Sequence, residues 1–354
     1  MLRYITKKLL YGLLVLVGVV VLVFFLFQGF GDPSRIVMGQ TGDSTTQSNI
    51  RKELYLIDEQ GKPIPRFRQF LHYLNDVSPL AIHSSSDIEK KKLKGFFVGG
   101  EKKIGIKLPY LRSSYQSKRP VWNILMQALP GTLMLAFAAM VIAVLIGIPL
   151  GVMAAVKQNT WMDTTAIVSS IAGISAPSFF IGIVMVYIFG FMLGDVTGLQ
   201  IAGSWFTIDD SGERRLSLQN LVLPALTLGI RPMAIITQLT RSAMLDVLDQ
   251  DYIRTAYAKG LSKRHVIWRH GLRNALNPVI TAVTGWFAEL LAGAFFVEYI
   301  FGWQGIGKVT VDALEKLDYP VVMGAVLVSA AFFVLINILA DILYGVVDPR
   351  VRVR

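Results

Sequence analysis

Few residues of this chain have types and spacing suited to chemistry. Gly302–Thr310, "GWQGIGKVT", satisfies G-x-x-x-x-G-K, the spacing by which a glycine-rich turn presents backbone N–H groups and a lysine to phosphates. Val309 stands where such a loop needs Ser or Thr to hold Mg²⁺, so the alternative is a glycine-rich turn shaping a re-entrant loop. The four histidines, His72, His83, His265 and His270, all lie outside the apolar runs, and their spacings do not offer the converging ligands of a zinc site. There is no cysteine, which removes disulfides, thiolate metal sites and cysteine nucleophiles. The carboxylate pairs Asp209-Asp210 and Asp58-Glu59 sit in polar stretches and read as solvated turns. Neither G-x-S-x-G nor H-E-x-x-H occurs. The expectation is a chain with no catalytic residue and no metal site.

The elements that must position any site are long and oily. Of 354 residues, 53% are hydrophobic and 17% charged, and the mean hydropathy is +0.52. Soluble domains carry nearer ~25% charged residues, so the composition reads as a multi-span membrane protein. Apolar runs fall at Leu9–Phe30, Ala128–Val156, Thr164–Leu193, Leu218–Leu245, Pro278–Ile300 and Val321–Val347. Each suffices for a hydrocarbon core about 30 Å thick at ~1.5 Å per residue. Pro130, Pro149, Pro177, Pro224 and Pro232 lie in or beside them and are expected to mark bends or ends. The first run is followed by "FQGFGDP" rather than by small residues at a cleavage site, and reads as an uncleaved span.

The expected fold is all-α and membrane-integral, with six transmembrane helices. Arg3, Lys7 and Lys8 favour a cytoplasmic N-terminus, and Arg350, Arg352 and Arg354 a cytoplasmic C-terminus. Residues 1–30 form the N-terminus and first span. Residues 31–120 form a small external α/β insertion between helices 1 and 2, and 121–354 a five-helix core. The "KKKLK" at Lys90–Lys94 does not overturn this, because long loops translocate largely regardless of charge. Within the insertion, "KGFFVGGEKKIGIKLPY" reads as a hairpin around Gly99-Gly100. The net charge of +11 is explained by cytoplasmic loop bias without invoking nucleic acid.

Two ionisable residues lie deep in the runs. Arg231 is 13 residues from Leu218 and Glu289 is 11 from Pro278, which puts both near the same depth if the two spans run in opposite directions. Charges there are costly and either pair or face a water-filled path. An ion pair beside a translocation path and a purely structural pair are both compatible with the spacing.

The segment Asp251–Pro278, "DYIRTAYAKGLSKRHVIWRHGLRNALNP", joins two spans on the same side as the termini. Leu245, Leu248, Tyr252, Ala256 and Tyr257 recur at helical spacing, so the fourth span is expected to continue into an amphipathic helix. Gly260 is suited to ending it at φ > 0, and Ser262 to capping a second helix bearing Val266, Ile267 and Leu272. Pro278 then opens the fifth span. Such a helix pair could lie on anionic headgroups or dock on a cytosolic subunit. A DNA reader is disfavoured because both ends are pinned at the bilayer.

The same stretch resembles the cytoplasmic EAA loop of ABC-importer permeases, in the form used by the peptide and nickel transport subfamily. Arg254-Thr255-Ala256 occupies the EAA place and Gly260 the glycine; His270, Leu272 and Arg273 occupy the closing Ile, Leu and Pro places. "RPVWNILMQALPGTL", "IGIPLGVMAAVKQNTWMD", "SAPSFFIGIV", "LVLPALTLGI", "VEYIFGWQGIGK", "DYPVVMGAVLVSA" and "DILYGVVDPRVR" resemble the family's other blocks in order, while residues 78–107 look like an insertion. The resemblance implies a multi-pass permease of a prokaryotic cytoplasmic membrane, without its own ATPase site. It also implies a coupling loop at 246–278 in which Arg254, Thr255, Ala256, Tyr257, Lys259, Gly260 and Leu261 meet an ATP-binding subunit. The implied partners are a second homologous permease, two ATP-binding subunits holding ATP and Mg²⁺, and an external solute-binding protein, in addition to membrane lipid. The cargo would be a peptide or a similar small solute.

A different class remains to be weighed: a secondary transporter driven by an ion gradient, for which Glu289 and Asp341 are the candidate intramembrane carboxylates.

Overall fold

The computed structural model describes residues 2–29, 48–49, 51–52, 54–58, 60–208 and 213–347. The carboxylates Asp209-Asp210 and Glu59, and the basic residues Arg350, Arg352 and Arg354, lie outside the described residues. The chain divides into two compact units. One comprises residues 1–10, 129–308 and 332–354; the other comprises 11–128 and 309–331.

Helices dominate. α1 (Leu2–Gly29), α4 (Val121–Val156), α7 (Gln219–Leu248) and α12 (Tyr319–Val347) each contain a stretch long and apolar enough to cross a membrane. A fifth candidate is the pair formed by α5 (Trp161–Ser175) and α6 (Ser178–Met185) with its π-helical extension Val186–Met192. The pair bends by 109° at a break where Ala176, extended at ψ 131°, precedes Pro177. Proline disfavours the helical region for the residue before it, which sets the bend there. α9 (Leu272–Gly293) has 22 residues, also long enough to span, and carries Asn274, Asn277 and Glu289 among its apolar residues. Among the described residues the structure thus gives four or five strong span candidates where six runs were expected.

The other prolines do not break their helices. Pro130 and Pro149 lie inside α4, and Pro224 and Pro232 inside α7. In an apolar setting neighbouring helices compensate for the missing N–H, so none of these four prolines marks a helix end. α7 is the central helix of its unit: 61% of its apolar window is buried, against 22% for α1. It packs along α5 and α9 and shares a core with α4. Leu135, Ala136, Ala139 and Ala143 of α4 meet Leu223, Leu228 and Ile236 of α7 and Leu290 and Leu291 of α9. The α4–α7 crossing is tight: a Cβ on Gly151 would lie 2.6 Å from the Thr237 carbonyl, and one on Gly229 would lie 2.8 Å from that of Ala139. Small residues at such crossings let backbones approach where no hydrophobic drive separates protein from lipid.

In the second unit, α2 (Arg66–Val77) packs on the end of α1 through Phe24, whose ring centroid lies 5.2 Å from Phe70 and 5.6 Å from Tyr73. Three strands follow, β1 (Leu80–Ser84), β2 (Gly95–Gly99) and β3 (Lys102–Lys107), with α3 (Ser85–Lys90) between the first two. They form an antiparallel sheet in the order β1-β3-β2, with Leu80 opposite Ile106 and Phe96 opposite Ile106. The β2–β3 hairpin turns at Gly99-Gly100, as the sequence pattern implies.

Asp76 ties this region together. Its Oδ2 accepts from Tyr55 Oη at 2.9 Å and its Oδ1 from Lys91 Nζ at 2.6 Å, while its backbone carbonyl accepts from buried Lys107. Burial pushes the Lys107 amine down to about 8, against the pull of the Asp76 charge. Burial, helped by the Lys91 charge, also holds the His83 imidazole below its ordinary value. A second node joins distant segments: Asp318 accepts from Ser114 Oγ at 2.5 Å and from the Tyr115 amide at 2.9 Å.

Candidate functional site

The elbow between α7 and α9 begins with a two-residue break after Leu248, then α8 (Asp251–Ala258). The fourth helix therefore does not run straight on. Gly260 adopts φ +76°, and a Cβ there would touch nothing within 4 Å, so its requirement is purely backbone. Ser262 stands at the N-cap position of the following helix in extended backbone, but its side chain makes no capping hydrogen bond. From Lys263 the chain winds through a π-helical turn, Val266–Gly271, directly into α9. Pro278 consequently lies inside a continuous helix instead of opening a span. The elbow is rooted in α9 without a joint.

Packing divides the elbow into two faces. Ile253, Ala256 and Val266 are buried together against Val247 and Leu248. Ile267, Leu272 and Ala275 are buried with Met244 of α7 and with Val152 and Ala155 of α4. A Cβ on Gly271 would come within 3.2 Å of the Met244 methyl, so the turn is pressed onto α7. The inward face is not the Tyr252–Ala256–Tyr257 stripe that the spacing suggests; Tyr252 and Tyr257 are each 42% exposed. Among the seven proposed contact residues, Ala256 faces inward, whereas Arg254, Thr255, Tyr257, Lys259, Gly260 and Leu261 face outward. Two exposed aromatics join them that the sequence reading left aside as contacts, Tyr252 and Trp268. Asn274 donates to Tyr252 Oη at 3.1 Å and to the His270 carbonyl at 2.9 Å, tying α8 to the base of α9.

The elbow's supports include a clamp that sequence reasoning missed. Arg241 of α7 donates from Nε to Asp163 Oδ1 at 2.5 Å and from Nη2 to Oδ2 at 2.7 Å. Asp163, 3% exposed at the start of α5, also accepts from the Asn159 amide at 3.0 Å. The legible signal was an arginine near the end of an apolar run and an aspartate closing "KQNTWMD".

Arg231 and Glu289 do come together, on adjacent helices. Nη1 and Oε1 are 3.9 Å apart, both side chains are about half exposed, and the guanidinium lies 5.2 Å from the Trp286 ring centroid. The pair is open to its surroundings instead of sealed in this chain's core. Asp341 is also paired, with Lys8 Nζ at 2.6 Å.

The G-x-x-x-x-G-K segment folds around a carboxylate of its own chain. α10 (Phe295–Ile300) carries Glu298, fully buried, whose Oε2 accepts from the Gly307 and Lys308 amides at 2.7 and 3.2 Å. Those amides begin α11 (Ile306–Glu315), where backbone N–H groups would otherwise be free to receive a phosphate. A Cβ on Gly305 would sit 2.3 Å from the Glu298 carboxyl. Trp303 Nε1 donates to the Gly131 carbonyl at 2.9 Å, and Thr132 Oγ1 accepts from the Ile306 amide at 2.8 Å. The glycines close a turn over a carboxyl group of the chain itself. Of the histidines, His72 stacks on Tyr55, His83 is buried, and the ring centroids of His265 and His270 lie 5.6 Å apart; among the described residues no three His, Asp or Glu side chains converge as metal ligands.

Comparison with known proteins accords with this architecture. Residues 147–353 match the family described as "Binding-protein-dependent transport system inner membrane component", and residues 1–136 match its N-terminal counterpart. The chain is 36% identical over 372 aligned positions, 99% of both chains, to the dipeptide transport system permease protein DppB of Escherichia coli. It is 42% identical over 254 positions to DppB of Haemophilus influenzae, covering 68% of this chain and 76% of the relative. It is 34% identical over 354 positions, again 99% of each, to the glutathione transport system permease protein GsiC of Escherichia coli. With a family match over more than half its length and full-length relatives above 30% identity, the chain belongs to the binding-protein-dependent transport-system inner-membrane components, the permeases of peptide-type ABC importers.

Proposed function

We propose that this chain is one of two permease subunits of an ATP-driven importer for a peptide or a similar small solute. It forms half of the translocation path with six spans and cytoplasmic termini, and it carries no ATPase site. One of two ATP-binding subunits docks on the outward face of the elbow, with Arg254, Thr255, Tyr257, Lys259, Gly260 and Leu261 at the contact and Ala256 packing beneath it. A solute-binding protein delivers cargo from the other side.

The observation that carries this reading is mechanical. α8 is held by a buried cluster to the end of α7, and the next helix of the elbow is continuous with α9. A push on α8 therefore reaches two membrane helices at once, where a flexible loop would absorb it. Arg231 and Glu289 join those same two helices partway along and are proposed to border the path, because their half-exposed charges need water or a partner.

Solute uptake into sealed vesicles tests the proposal. Uptake that requires ATP and the ATP-binding subunits supports it, and uptake persisting on a proton gradient alone contradicts it. No observation favours gradient coupling, since the carboxylates it would need, Glu289 and Asp341, each have a basic partner.

A further inference from the structure

The sheet between the first two membrane-length helices has its polarity reversed. The register sets Leu80 and Phe96 on either side of Ile106, and Ile82 and Val98 on either side of Ile104. Directly opposed residues share a face, so these six large apolar side chains form one continuous surface, and each is between 53% and 75% exposed. The opposite face, lined by Ala81, His83, Gly105 and Lys107, is the buried one. Ordinary half-buried sheets place the apolar row inward and the polar row outward. Here a lysine and a histidine are buried while isoleucines and a phenylalanine face out, and so large a contiguous apolar patch marks a surface that something covers.

We propose that this face lies on the phospholipid bilayer, with its apolar row at the boundary of headgroups and acyl chains. Three features select lipid over a protein cover. First, the domain is tethered to the membrane at both ends, because Thr6–Leu26 precedes it and Val121–Val156 follows it, both membrane-length and apolar. Second, the apolar row is bounded by lysines: Lys94 lies two residues before Phe96, across from Leu108 at one end, and Lys102 shares the face of Ile104 at the other. Lys92 is exposed nearby, and residues 85–107 contain seven lysines against three acidic residues. An apolar face edged with long cationic side chains suits anionic phosphates, since the stems cover apolar surface and the amines reach the headgroups. Third, α2 repeats the composition, with exposed Phe67 and Leu71 beside exposed Arg66 and Arg68. The inference needs only that the flanking helices span a bilayer; it depends on neither the cargo nor the ATP-binding subunits.

Because the chain has no cysteine, single nitroxide labels report without background. Phe96→Cys, Ile104→Cys and Lys92→Cys are labelled in the full chain reconstituted in phosphatidylglycerol-containing bilayers, alone and with the partner subunits. Collision with oxygen, which concentrates in lipid, is compared with collision with a water-soluble nickel chelate. Labels at 96 and 104 are expected to favour oxygen several-fold over the chelate in both preparations, with the ratio reversed at 92. Preference for the chelate at 96 and 104 would overturn the proposal. Shielding from both reagents once the partner subunits are present would also overturn it, by identifying a protein cover.

Discussion

Arg241 grips Asp163 with two parallel hydrogen bonds, 2.5 and 2.7 Å long, between the last third of α7 and the first turn of α5. The pair fixes α5 to α7 just before α7 enters the elbow. Any tilt of α7 must carry α5 with it or break the clamp. Removing one partner leaves the other charge with little water, a change that costs about 3–5 kcal/mol for buried pairs. Arg241→Gln and Asp163→Asn are each expected to lower the thermal midpoint of the purified protein strongly. Arg241→Lys, which keeps the charge but not the fork, should fall between them and the wild type. Equal stability of all three variants and the parent would show that the clamp bears no load.

Gly260 separates backbone geometry from contact. An added Cβ meets nothing, so Gly260→Ala suffers only the left-handed backbone penalty, about 1–2 kcal/mol. Asparagine visits that region more readily, so Gly260→Asn should retain more function than Gly260→Ala. Co-purification with the ATP-binding subunits and solute-stimulated ATP hydrolysis are the readouts, with span insertion unchanged. If alanine and asparagine behave alike, the turn's φ is not what matters.

Glu298 predicts the behaviour of the glycine-rich loop. Glu298→Ala strands the Gly307 and Lys308 amides in a buried site, at about 1–3 kcal/mol for each unsatisfied group. Gly305→Ala forces a methyl against the same carboxyl and should destabilise comparably, by about 1–3 kcal/mol. Neither variant should confer nucleotide binding on this chain, because Val309 still stands where a phosphate loop needs Ser or Thr to hold Mg²⁺. Thermal unfolding and a nucleotide-binding assay on the isolated chain check both halves.

The β-sheet region should respond to pH at both ends of the scale. Buried His83, faced by Lys91, Asp76, Lys107 and Asp87, has a folded pKa below its ordinary 6.5. The unfolded chain therefore binds the proton first, and stability falls as pH drops below about 6.5. Lys107 has a folded pKa of about 8 against 10.5 in the open chain. Between those values the unfolded state again holds more protons, so stability rises with pH, and below 8 the buried charge exerts its full cost. Hydrogen exchange across residues 76–107 should slow from pH 8 to 10 after correction for intrinsic rates. Lys107→Met should flatten that alkaline trend, and His83→Gln the acid one; retention of both slopes would refute the assignment.

The sequence exposed the elbow well and its joints poorly. Gly260 was legible because few residues other than glycine accept φ +76° cheaply, and Val266, Ile267 and Leu272 because helical spacing reveals a buried side. Pro278 misled, since local sequence does not distinguish a proline that starts a helix from one held inside by burial of Ala275 and Val279. Tyr252 and Tyr257 misled because periodicity gives a stripe without saying which side neighbours cover. The β3 segment "KKIGIK" shows the same limit in a strand: alternation was plain, but which side faced inward depended on Asp76 accepting Lys107 from another element. The Asp163–Arg241 clamp joins positions 78 apart in sequence, so each charge is legible singly but not as the other's partner.

The central claim is that the elbow's outward face receives an ATP-hydrolysing partner and passes its motion to α7 and α9. Single cysteines at Arg254 and Lys259, in this naturally cysteine-free chain, allow crosslinking within the working importer. Both positions should crosslink to the ATP-binding subunit, with a yield that changes between nucleotide-free and ATP-trapped states, while Ala256→Cys, buried, should not. Active solute uptake with no crosslink from either exposed position in any nucleotide state would contradict the account.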